Sequence, residues 1–238
     1  LAGLLRVATT LTGDDAQDQS LEDYVGRLLE GQDKIYYILA EHHATAVASP
    51  HLVQLRKRES EVLLLTDRID PWVVDALREF DGKELVDVGR TALDLPEGEE
   101  PEAQEDVNKE HKTLLDKIGK VLEDRVEAVN VSRRLVDSPA CVVSGEHDLS
   151  PQIRRMLEAS GQALPESKPI LEINIDHPLV ARLSGEADDS RFDELSHIVL
   201  DHALLAEGSQ LDNPAAYVHR MNRLLLDIDS GTRNGQNG

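Results

Sequence analysis

The chain has 238 residues, enough for one large domain or two ordinary ones, and a core of that size needs no metal or disulfide to hold it. Lys and Arg number 25 against 46 Asp and Glu, and the resulting net charge of -21 repels a phosphate backbone or an anionic membrane surface, which argues against nucleic acid and membrane as partners. Hydrophobic residues at 40% exclude wholesale disorder, and aromatic residues at 3% make the core aliphatic, so each surface aromatic is informative.

The single cysteine, Cys141, allows no internal disulfide, and no long apolar run spans a membrane, which together fit a reducing cytoplasm. The chain starts at Leu1 without a secretory signal, so it reads as a piece of a longer protein. Leu4, Leu5 and Leu11 suggest the end of a helix, closed by a polar stretch from Gly13 to Ser20. Ser20 followed by Asp23 reads as a helix start, with a run predicted to about Glu30 and a stop at Gly31. KIYYIL from Lys34 suits a buried strand, and a helix is predicted over Glu41 to Ala48, with Pro50 breaking it. A short helix through Leu52 and Leu55, the strand-like EVLLLT, a helix after Asp70 and Pro71, and then ELVDV complete the pattern. Strand alternating with helix predicts an α/β subdomain over residues 31–93, a small partly parallel sheet with helices on both faces, preceded by a helical segment at 1–30.

Between Asp94 and Glu110 eight acids face one base, with Pro96, Gly98 and Pro101 among them, which marks an acidic linker at 94–105. A helix is predicted from about Asp106 to Asp124, strands at NVSRRL, ACVVSG and ILEIN, and a helix over His147 to Ser160. Helices at Asp189 to Glu207 and Pro214 to Asp229 close an α+β domain spanning 106–229, and the tail 230–238 has nothing to bury and is expected to be disordered.

Catalytic chemistry is hard to find. No glycine-rich phosphate loop, CxxC or HExxH spacing is present, and His42 and His43 are adjacent, pointing about 100° apart on a helix. Cys141 sits in the apolar PACVVSG, where burial raises a thiol's pKa and makes it a poor nucleophile. Three features rise above this background. After Asp70, the residues Val73, Val74, Leu77 and Phe80 share an apolar face, leaving Trp72 on the side of Asp75, Ala76 and Glu79, either covering the helix start or binding a partner. Leu149, Ile153, Met156 and Leu157 form a helical stripe between Gly145 and Gly161, suited to core packing or to a mobile arm presented to a partner. The last two helices carry more apolar residues than one face can hold, which suits an intermolecular four-helix bundle better than an internal hairpin; the interface residues are Leu195, Ile198, Val199, His202, Leu205, Tyr217, Met221, Leu224 and Leu225.

At this point a family is recognisable. EGQDKIYYI, SPHLVQLRKRESEVLLLTDRIDPWVV, EFDGK, RLVDSPACVV and HRMNRLLL, in that order, closely resemble the heat shock protein 90 chaperones, in particular the bacterial high-temperature protein G type. The resemblance covers residues 1–228. It implies that the chain is the end of the middle domain followed by the C-terminal dimerisation domain of a cytoplasmic homodimer. It implies also that the ATP and Mg site, and the arginine that assists hydrolysis, belong to the complete protein upstream of Leu1. This stretch is then not an enzyme and needs no cofactor or metal of its own. By motif position, contacts to partly unfolded client proteins fall on Trp72 and Asp75, and on Leu149, Ile153, Met156 and Leu157. Pro71 and Pro151 depart from the family pattern, though proline is tolerated in a first helical turn. The expectation is a dimerising, client-binding part of an ATP-driven chaperone; the alternative is a dimeric scaffold with no direct client binding.

Overall fold

In the computed structural model, residues 2–90, 107–145, 153, 154, 157, 161, 162 and 167–234 are described. Five strands form the first sheet, β1 (Ala8–Thr9), β2 (Lys34–Leu39), β3 (Leu63–Leu65), β4 (Glu79–Phe80) and β5 (Lys83–Asp87), in the order β1-β3-β2-β5-β4. β2 lies at the centre and pairs parallel with β3 and β5, while β1 and β4 are antiparallel edges.

A central parallel strand is covered on both faces, so its interior positions must be apolar, and Ile35 to Leu39 of KIYYIL are. Tyr36 and Ile38 point to one face, where they pack with Leu64, Leu52 and Leu55 beneath α2 (His43–Ala48) and α3 (Leu52–Lys57). Ile35 and Tyr37 point to the other, with Leu63, Leu65, Leu21 and Tyr24 beneath α1 (Leu21–Val25) and α4 (Asp70–Ala76). Helices therefore flank the sheet on both sides, as the alternating pattern predicts.

Ser20 caps α1 as expected: its Oγ accepts from the Asp23 amide at 3.0 Å while Asp23 Oδ2 accepts from the Ser20 amide at 3.1 Å. The helix is shorter than predicted, ending at Gly26 rather than near Glu30. Tyr24 explains its placement, because its buried hydroxyl donates to the Glu61 carbonyl at 2.8 Å and accepts from the Tyr36 amide at 3.0 Å, fixing one turn of helix onto β2. The opening leucines do not end a helix. Only Ala2–Leu4 form a 3-10 turn, and Ala8–Thr9 add to the edge of the sheet opposite Leu63 and Leu64. β4 has no counterpart among the predicted elements, and Phe80 lies in it and not on the helix; Asp81 and Gly82, both at positive φ (52° and 71°), make the two-residue turn that folds it onto β5.

The second sheet has three strands, β6 (Ala128–Val131), β7 (Ala140–Val143) and β8 (Ile170–Ile173), with β8 between the others, parallel to β6 and antiparallel to β7. One face packs under α5 (Lys112–Val121), α6 (Pro178–Ser184) and α7 (Asp189–Ala206), which contribute Leu115, Ile118, Leu183, Phe192, Leu195 and Val199 to a single core. α6 has no counterpart among the predicted elements, although Pro178 at its first turn and the His177 cap onto the Leu179 amide are start signals. The last helix, α8 (Pro214–Asn234), runs through residues 230–234, where the sequence predicts an unstructured tail. The acidic linker and residues 235–238 lie outside the described residues.

Candidate binding surfaces

The two sheets meet at a polar joint. Beyond β5, Arg90 forms a parallel bridge with Ser144 at the end of β7, and Arg90 donates to the Gly145 carbonyl at 3.4 Å. Arg134 is buried and donates to the carbonyls of Val88 and Arg90, each at 3.1 Å, while its Nε lies 2.9 Å from Glu172 Oε2. On the far side His51 Nε2, at the start of α3, approaches Glu207 Oε1 to 2.6 Å just after α7. A cavity of about 200 Å³ lies among Leu39, Asp87, Val142, Ser144, Leu204 and Glu207. Burial raises the Asp87 carboxyl above the ordinary range, against the opposing donation from the Gly89 amide at 2.9 Å.

α4 presents the first candidate surface. Its start is set by Asp70, whose buried carboxylate accepts from the Asp67 amide at 2.8 Å, and by Pro71 in the first turn. Val74 and Leu77 turn onto the sheet. That leaves Trp72 42% exposed, beside the exposed Asp75, and Ile69 60% exposed at the N-cap. Ile69 is an addition that helix periodicity misses because it precedes the first turn.

Of the predicted stripe, Leu149 and Met156 lie outside the described residues. Ile153 is buried and Leu157 half-buried, both in helical backbone.

The third surface is the terminal hairpin. Leu195, Ile198 and Val199 are all buried within the chain at 2% exposure or less, so they hold α7 down instead of presenting it. His202, Tyr217, Met221 and Leu224 are half-buried, with the His202 and Tyr217 rings edge to face across the two helices. Leu205 is 44% and Leu225 58% exposed; Val218 and Leu226, outside the predicted interface set, are exposed as well. Val218 and Leu225 are seven residues apart and so share one face, a spacing the sequence already held.

α8 is amphipathic the wrong way round for a helix seated on its own chain. From Pro214 to Leu226 it has no buried residue, and Leu224 is the one α8 side chain that joins the neighbouring core among the described residues. Beside Leu224 and the Tyr217 ring, two ion pairs link it inward: Arg220 reaches Asp201 at 3.5 Å and Arg223 reaches Glu194 at 2.5 Å. Its apolar stripe faces outward.

No group of His, Cys, Asp and Glu suited to a metal occurs among the described residues, and no described helix is long and apolar enough to cross a membrane. Cys141 is fully buried; burial first, then the Glu172 charge, pushes its thiol well above the ordinary range. It is a core residue here, as read from the sequence.

Comparison with known proteins agrees with the motifs. The family model described as Hsp90 protein matches residues 1–236. The chaperone protein HtpG of Bordetella pertussis (strain Tohama I) is 52% identical over 229 residues, 95% of this chain and 36% of the relative. The chaperone protein HtpG of Bordetella avium (strain 197N) is 50% identical over 231 residues, again 36% of the relative. The chain thus spans about a third of the length of these curated relatives.

Proposed function

The chain belongs to the Hsp90 protein family, and from that premise we propose that it is the dimerising, client-binding part of an ATP-driven, cytoplasmic chaperone. Two copies join through α7 and α8, and partly unfolded proteins are held by weak apolar patches in the cleft between them. ATP and Mg belong to the part of the protein outside this chain.

The observation that carries the dimer reading is the outward apolar face of α8. Val218, Leu225 and Leu226 are 53%, 58% and 69% exposed on one helix, joined by Leu205 from α7. Contiguous apolar surface of this kind is costly in water and marks an interaction site. A closed two-fold contact buries the same patch on both copies and leaves no free surface for further growth. Leu225→Asp is expected to give a monomer in sedimentation equilibrium at micromolar concentration with nearly unaltered melting; a dimer that survives the change would overturn the reading.

Client contact is assigned to Ile69, Trp72 and Asp75 on α4, with Leu149, Ile153, Met156 and Leu157 as the second patch. Exposed aliphatic and aromatic groups beside a carboxylate suit promiscuous holding, since contact spread over weak patches tolerates many partners. The burial of Ile153 favours a second reading for that stripe, as a core element of a dimeric scaffold.

A further inference from the structure

Besides Leu224 in the core and the Tyr217 to His202 ring contact, α8 is attached to its own chain by two ion pairs. Arg220 and Arg223 lie one turn apart on its inner side and reach Asp201 and Glu194, which lie two turns apart on α7. Asp201 is itself buried at 3% exposure and is fixed from below by Arg125 at 2.8 Å, so it is a rigid anchor rather than a surface acid. Opposite this ionic seat lies the apolar stripe of Val218 and Leu225.

We propose that Asp201 and Glu194 are positioning residues for self-association: acting through Arg220 and Arg223, they set the height and rotation of α8 so that Val218 and Leu225 meet the same stripe of a second copy. The inference rests on the dimer reading above. Its physical basis is directional. A seat made of apolar side chains lets a helix roll and slide at little cost, whereas paired guanidinium and carboxylate groups hold it to a narrow range of rotations. A roll of one residue, about 100°, would replace Val218 at the contact with Tyr217 or His219.

The test uses the full chain with Arg220→Gln and Arg223→Gln combined, which leaves the buried Asp201 and Arg125 pair in place and so spares the core. Each pair is expected to contribute about two- to fivefold, so the dimer dissociation constant should rise about fivefold or more at low salt, with the melting temperature of the body held. The affinity advantage of the wild-type dimer over the double variant should shrink between about 50 mM and 500 mM NaCl, as salt screens the ion pairs. A merely structural role for the two arginines would not move the salt response. In a Leu225→Asp background, hydrogen exchange of the α8 amides reads the seat without the dimer, and the arginine changes should speed it. If the wild type dimerises and the double variant matches it in affinity, salt response and exchange, the positioning role is overturned while the dimer reading stands. A wild type that is monomeric at micromolar concentration overturns both.

Discussion

Arg134 and Glu172 meet at two points in a buried ion pair, Nε to Oε2 at 2.9 Å and a terminal nitrogen to Oε1 at 3.2 Å, and the other terminal nitrogen reaches out of that pair to the end of β5. One guanidinium therefore ties β8 to two carbonyls of the neighbouring sheet.

Replacing Arg134 with Met is expected to destabilise the chain by about 3–5 kcal/mol, because the buried Glu172 loses its ion-pair partner and two carbonyls lose their donor. Arg134→Lys should recover less than half of that, since an ammonium cannot form the planar two-point contact. Urea denaturation measures both; a loss below about 1 kcal/mol for Arg134→Met would show that the pair is not what holds the joint.

On α4, Ile69→Ser with Trp72→Ser should weaken suppression of client aggregation while shifting the melting temperature by less than about 2 °C, given side chains 60% and 42% exposed. Light scattering of a heat-denatured client reads the first effect and calorimetry the second. A large drop in melting temperature with unaltered suppression would assign both residues to packing.

Stability should fall as pH drops below 6.5. Burial holds the His197 imidazole below its ordinary range, with Arg220 and Arg125 adding to the effect against Asp201 and Asp193, and burial does the same at His202. The unfolded chain then takes up protons that the folded chain refuses, so the loss begins near the unfolded value and continues down to the lower folded one. In the double variant His197→Gln and His202→Gln, the denaturation midpoint should change less between about pH 7.5 and pH 5.5 than in the wild type. An identical slope for both proteins would count against this assignment.

Cys141 should resist thiol reagents in the native chain at neutral pH, because the reactive thiolate is disfavoured by burial and by Glu172. Labelling with a chromogenic disulfide is expected to accelerate by about a hundredfold or more on unfolding, following the opening equilibrium. Rapid labelling of the folded chain would show that the strand opens locally.

Much of the fold was legible because hydrophobic period is a local signal. KIYYIL gave β2 at the residues observed, and Ser20 with Asp23 gave the start of α1. The two-residue β1 and β4 are too short to show a period, and only the partner strand makes them strands. The candidate surfaces were legible in a different degree. Outward Trp72 follows from the face occupied by Val74 and Leu77, whereas Leu195, Ile198 and Val199 read as one apolar helix whose surplus could face either way. Which side met the chain's own sheet depended on β8 and α5, forty or more residues upstream along the chain for α5, and no local pattern carries that. The Arg125, Asp201 and Arg220 cluster is likewise invisible in sequence, since its members come from three separate segments.

The order of strands in the second sheet constrains how the chain is made. β8 is the middle strand but the last to leave the ribosome, and β6 and β7 pair only through it. Until Ile173 has emerged, Val129, Val131, Ala140 and Val143 have no strand to pair with, and both strands remain open edges. A nascent chain stalled before Ile170 should therefore lack this sheet altogether, which protease digestion of stalled ribosome complexes would read. During its own synthesis this segment is an unfolded apolar chain with two unpaired strand edges.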